Sequence, residues 1–141
     1  MIDAKDAAYT IALFCRLNTR ARLTRPLRGG EIGLLVYLDS DETVHTSVAA
    51  ASFFMISKAA ISGLVKSLEQ KGLIRREKSE ADARQYDLFV TDEGKRIVKV
   101  VAEAYEKRVV DLSSIIGEDE FEKFIETMNK ANDYIAEELN A

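Results

Sequence analysis

The chain is poor in the residues that staple or clamp small folds: it has one cysteine, one histidine, one proline and no tryptophan. One cysteine cannot close an internal disulfide, which points to a reducing cytoplasm. A single histidine with no ligand pattern around it offers no metal site, and His45 reads as a surface loop residue. No apolar run nears the roughly 20 residues that span a bilayer. Met1-Ile2-Asp3-Ala4-Lys5-Asp6 lacks the basic region and cleavage site of a secretory signal, so no membrane partner is expected. A P-loop, a nucleophile elbow and a carboxylate pair in a distinctive context are all missing. No catalytic residue, metal or cofactor is expected, and the chain does not read as an enzyme.

What is present suits one well-buried core. The 141 residues are 47% hydrophobic and 31% charged, ordinary for a globular protein, with no composition break between independent domains. The net charge of −4 argues against a polyanion partner until it is divided along the chain. Residues 1–56 balance at zero, 57–96 carry nine basic and seven acidic residues, and 97–141 carry five and eleven. The acidity sits at the C-terminal end and the middle is mildly basic; local charge decides where a polyanion docks.

That middle stretch, Ser57 to Arg96, organises the rest. Ser57 is an N-cap residue type, and Ile61, Leu64, Val65 and Leu68 recur at the spacing of one buried helical face. Lys58, Ala59, Ser62, Lys66, Ser67 and Gln70 fall on the other side. Gly72 stops the helix. Residues 73–78 then read as a strand turning basic, 79–84 as a polar tip, and 85–90 as the return strand. Thr91 caps a further helix whose first turn holds Asp92 and Glu93.

Outside this stretch the pattern is helical. A first helix is expected from Asp3 to Arg22, apolar over much of its circumference and therefore needing burial on more than one side. Pro26 and Gly29-Gly30 break the chain, and a helix over 30–38 follows with Ile32, Leu34, Leu35 and Leu38 inward. Thr43-Val44-His45 offers a short third strand. Thr46-Ser47 caps a helix over 47–54, packed through Ala50, Ala51 and Phe54. The helices at 47–54 and 57–71 then form a helix-turn-helix, whose second member enters a DNA major groove. After the hairpin a helix over 92–112 is expected, a break at Ser113-Ser114 and Gly117, and a last helix with the stripe Phe121, Phe124, Ile125, Met128, Ile135 and Leu139. Cys15 fits a buried, inert thiol better than a reactive one.

The run Leu68-Glu69-Gln70-Lys71-Gly72-Leu73-Ile74-Arg75-Arg76, then Asp82-Ala83-Arg84, then Val90-Thr91-Asp92-Glu93-Gly94, resembles the MarR family of bacterial transcriptional regulators. Their pattern is L-E-x-K-G-L-[VI]-x-R, a wing D-x-R, and L-T-x-x-G. With its helical flanks the resemblance covers nearly the whole chain. It departs from the family in two places: the reading helix lacks an arginine near Gly63 and Ser67, and no glycine stands in Phe53-Phe54-Met55-Ile56. Gly63 also weakens its helix by about 1 kcal/mol relative to Ala.

The resemblance implies a mainly α fold with a small β-hairpin wing, an α+β winged helix-turn-helix. Residues 1–141 would be one protomer, with a DNA-binding lobe over 30–96 and a helical dimerisation lobe from 1–25 and 97–141. On pattern alone the terminal helices fit an intramolecular layer equally well. Ile11, Phe14 and Leu17, with the last-helix stripe, would line the dimer interface. Double-stranded DNA is the expected partner of a homodimeric repressor. Thr46, Ser47, Lys58, Lys66, Arg75, Arg76 and Lys78 would meet phosphates, and Ala59, Ser62, Gly63 and Ser67 base edges, with Ser57 also in the DNA-binding set. By the resemblance, Arg84 enters the minor groove, oriented by Asp82; the bland reading is a hairpin ion pair. A small-molecule effector is implied too, with Arg16, Arg20 and Tyr37 as candidates for its site, as is a cysteine sensor in one branch. A winged-helix protein–protein adaptor without DNA binding remains the rival reading, favoured by the acidic total and the arginine-poor reading helix.

Overall fold

The computed structural model describes residues 1–18, 20, 23 and 26–141, in the order α1 (Ala4–Asn18), α2 (Gly29–Leu38), β1 (His45–Thr46), α3 (Ser47–Phe54), α4 (Lys58–Gln70), β2 (Ile74–Lys78), β3 (Tyr86–Val90), α5 (Asp92–Ile116) and α6 (Glu118–Asn140). It is a mainly helical winged helix-turn-helix with one three-stranded antiparallel sheet, ordered β1-β3-β2. The chain falls into two units, Met1–Glu103 and Ala104–Ala141. No single described helix is long and apolar enough to cross a membrane.

The core of the first unit joins α2, α3, α4 and the sheet through Leu34, Leu35, Leu38, Ala50, Ala51, Ile61, Val65, Leu68, Leu73, Ile74 and Leu88. Ile97 and Val98 of α5 pack against it, half-buried. The helical and strand periodicities select these residues, because each element buries only the face its period brings together. The sheet register pairs Ile74 with Val90 and Arg76 with Leu88. Since Ile74 and Leu88 are buried, the strand face that also carries Arg76 turns inward, while Arg75 and Phe89 share the outer face.

Three expected boundaries move. α1 ends at Asn18 rather than Arg22, and the Leu17 carbonyl accepts from the Arg20 amide (3.3 Å); residues 19, 21 and 22 lie outside the described residues. α5 runs through Ser113-Ser114 to Ile116 and stops only at Gly117, whose φ of +98° suits glycine. Serine merely lowers helix propensity, whereas glycine at positive φ ends the helix. The third strand is His45–Thr46, and His45 is buried rather than a surface loop residue. Its ring is 4.5 Å from that of Tyr37, and its Nε2 lies 3.0 Å from Asp41 Oδ1.

α1 and α6 contain no buried residue. Ile11 and Leu17 on α1 are exposed and Phe14 is half-buried; on α6, Ile135 and Leu139 are exposed, Phe124 and Ile125 are just over a third exposed, and Phe121 and Met128 are half-buried. Cys15, expected to be buried, is exposed.

Candidate nucleic-acid interface

α3 and α4 are bent by 118° about the turn at 55–57. Thr46 caps α3, its hydroxyl accepting from the Ala49 amide (3.1 Å), and Ser57 caps α4, accepting from Ala60 (3.0 Å). Each hydroxyl keeps its own proton for an outward acceptor. Between the helices Met55 takes a left-handed conformation, φ 54° and ψ 41°. That conformation favours glycine, which is the physical content of the family's usual glycine at this turn. α4 buries Ile61, Val65 and Leu68 and leaves Lys58, Ala59, Ser62, Gly63 and Lys66 exposed. Open space surrounds the position a Gly63 Cβ would occupy.

Ser67, the other expected base-edge residue, is half-buried and donates to Glu31 Oε2 (3.1 Å). Glu31 is a fully buried carboxylate on α2. Lys71 Nζ donates to it at 2.7 Å, and Arg28 donates from Nε at 3.0 Å and from its backbone amide at 3.3 Å. Burial pushes its pKa up, but the bonds from Lys71, Arg28 and Ser67 outweigh burial and bring it down to about 2. Glu31 thus ties the start of α2 to the end of α4. Sequence reasoning passed it over; the only local signal was an acid three residues past the helix-capping Arg28.

The wing carries its cations differently from one another. Arg75 lies over the Phe89 ring, 4.5 Å from its centroid, and pairs with Glu77. Arg76 makes two bonds to Glu69 of α4, both 2.9 Å, and lies 5.2 Å from the Tyr86 ring centre. The Glu69 carboxylate holds the Arg76 guanidinium above its ordinary range. Lys78 is exposed. At the tip the Arg84 side chain is 90% exposed, and Asp82 receives its amide (3.0 Å), its Nε (3.2 Å) and its Nη2 (3.4 Å). The Arg84 amide, then its side chain, lower the Asp82 pKa. The aspartate therefore aims the arginine into solvent.

The joint between α4 and the wing is clamped. Gly72 has φ +75°, and Thr91 Oγ1 donates to its carbonyl (2.7 Å) while accepting from the Gly94 amide (3.2 Å). The Thr91 amide donates to the Leu73 carbonyl (3.0 Å). A Cβ on Gly94 would sit 2.2 Å from that same oxygen, so only glycine allows this approach. The Thr91-x-x-Gly94 spacing is a joint that fixes where the wing starts.

Residues 23–85 match the sequence model of the MarR family. Solved structures extend the likeness of fold to almost the whole chain. MarR itself is 23% identical over 96% of this chain and 92% of that one, with a TM-score of 0.78. MepR of S. aureus, solved as a DNA complex, is 19% identical over 96% and 99%, TM-score 0.79. FabT of Streptococcus pneumoniae, solved in complex with DNA, is 17% identical over 94% and 96%, TM-score 0.80. No curated protein sequence matches the chain.

Within the matched segment Lys58, Ser62 and Lys66 are exposed on α4 and Lys78 and Arg84 on the wing, while Tyr37 is half-buried. Its ring stacks on Phe53 (4.5 Å, 28°) and meets Phe54 edge-on (5.4 Å). Arg16 lies in the last turn of α1 and Arg20 two residues past its end.

Proposed function

We propose that the chain is a homodimeric DNA-binding transcriptional regulator, a repressor, acting on pseudo-palindromic duplex sites. The observation that carries this reading is the wing tip: an arginine almost wholly in solvent, held in a fixed direction by a neighbouring carboxylate. A guanidinium so presented suits a narrow minor groove, where A·T-rich DNA concentrates negative potential. α4 would lie in the major groove. There Ser62 can donate or accept at a base edge and Ala59 can meet a thymine methyl. Lys58, Lys66 and Lys78, with the amides and hydroxyls at Thr46, Ser47 and Ser57, would contact phosphates and set register. Arg75 can join them only by loosening its contact with Glu77. MepR and FabT, whose structures were solved with DNA, support the same use of this fold.

Residues 30–96 would be the DNA-binding lobe, with 1–25 and 97–141 the dimerisation lobe. The apolar side chains left uncovered on α1 and α6 support that division, since exposed apolar stripes of this size mark interaction faces. A small-molecule effector would act by preferring a dimer geometry whose two reading helices no longer match the DNA pitch, with Arg16, Arg20 and Tyr37 the candidates to meet it.

Selecting bound duplexes from a random DNA pool tests the reading. Enriched sequences should show two related half-sites with centres about 10–10.5 bp apart. A pool that never enriches would remove the regulator and leave the protein–protein adaptor.

A further inference from the structure

We propose that Glu69 and Arg76 form a clasp between the reading helix and the wing, making both of them positioning residues for groove binding rather than Arg76 a phosphate contact. The inference rests on the DNA-binding reading above and adds to it the part that sets the wing angle. Glu69 is on the last turn of α4 and Arg76 in the middle of β2, on opposite sides of the Gly72 turn. The Nε and Nη2 atoms of Arg76 each reach a different Glu69 oxygen at 2.9 Å. Such a fork fixes direction as well as distance. Arg76 is on the inward strand face, and its guanidinium is enclosed further by the Tyr86 ring across the ladder at 5.2 Å. Arg75, one residue earlier, is on the outer face.

The geometry explains why one clamp is not enough. Thr91 and Gly94 hold the base of the wing at Gly72 and Leu73, but the hairpin extends well past that point to Arg84. A small rotation at the base becomes a large displacement at the tip. The clasp meets the strand beyond the base and removes that freedom, so that Arg84 and the exposed face of α4 keep one relative placement. A phosphate could use only the Nη hydrogens that the fork leaves over, and the Glu69 carboxylate offsets the charge it would meet there. Glu69 and Arg76 are also the acid and the final arginine of the family-like run Leu68–Arg76, and their pairing gives that spacing a mechanical meaning.

The test uses the whole chain and a duplex recovered by selection, with affinity measured by fluorescence anisotropy across a salt series. The side chains of Arg76 and Glu69 are 40% and 35% exposed, so neutral substitutions leave no charge stranded in the core. Glu69→Gln and Arg76→Gln should each weaken binding by about tenfold, the order of one lost charge-assisted fork. The double variant should be no worse than either single one, and Glu69→Arg with Arg76→Glu should recover most of the loss. The salt dependence should stay that of the wild type. If Arg76→Gln instead lowers the salt slope by about two per dimer while Glu69→Gln tightens binding, Arg76 is a phosphate contact and the clasp is wrong. Variants that all bind like the wild type overturn it equally. A wild-type chain that binds no duplex sinks the functional reading, and the role in groove binding with it. The clasp as a mechanical link is then decided by hydrogen exchange at Arg75–Lys78 and Tyr86–Val90, faster in both single variants if it holds the wing and unchanged if it does not.

Discussion

Glu31 has no exposed surface, yet it stays ionised because three side chains and one amide converge on it. Glu31→Gln removes the charge that Lys71 and Arg28 face and one of its two accepting oxygens, and breaking a partly buried pair of this kind costs about 3 kcal/mol. Glu31→Gln should therefore lower unfolding free energy at neutral pH by about that amount, measured by urea denaturation. The sign with pH follows from the depressed pKa. A carboxyl at about 2 folded and 4.5 unfolded contributes stability above pH 4.5 and loses it as pH falls towards 2. The variant should be flatter than the wild type across that window; parallel curves would mean that Glu31 is not the group titrating. Only the Arg28 contact was local enough to read in the sequence; Ser67 and Lys71 stand 36 and 40 residues away from Glu31. The same distance hid the bond from Ser67 to Glu31. His45 was misplaced for a related reason: its burial comes from the Tyr37 ring and the β3 ladder, neither of which local polarity reports.

At the scale of elements, caps and stops decide the reading unit. Thr46, Ser57 and Gly72 were readable because an N-cap hydroxyl and a C-terminal glycine act within a few residues of their own position. Ser113-Ser114 looked like a break but are carried inside α5, since neither serine forces the backbone out of a helix. Met55 is the strained member: a left-handed conformation costs an L-residue about 1–2 kcal/mol, and the residue is 44% exposed, so little packing depends on it. Met55→Gly should raise stability by up to about 1 kcal/mol, a rise of a few degrees in thermal midpoint. A drop would show that the methionine side chain holds the turn. The two wing strands were legible as short runs on either side of a polar tip. The pairing of Arg76 with Glu69 was not, since strand alternation gives a face but not what lies opposite it.

Along the chain the acidic excess lies in residues 97–141 and a mild basic excess in 57–96, so a net charge of −4 describes neither stretch. The molecule also leaves apolar stripes on α1 and α6 uncovered. The helical period made those stripes legible; what covers them lies outside a single chain's sequence. If a second copy does, sedimentation should give a dimer at micromolar concentration, and Ile125→Glu should yield folded monomer. A wild-type monomer would contradict the shared lobe. The functional account rests most heavily on the wing-tip arginine acting with the α4 lysines from two protomers. Affinity for a selected duplex should fall with salt at a logarithmic slope of about −5 if Lys58, Lys66 and Lys78 of both protomers engage phosphates. Arg84→Ala should lower affinity by at least tenfold with the dimer intact. The decisive measurement is that paired salt titration of wild type and Arg84→Ala: a steep wild-type slope with a clear loss in the variant is the expected result, and a flat slope, or a variant indistinguishable from wild type, contradicts it.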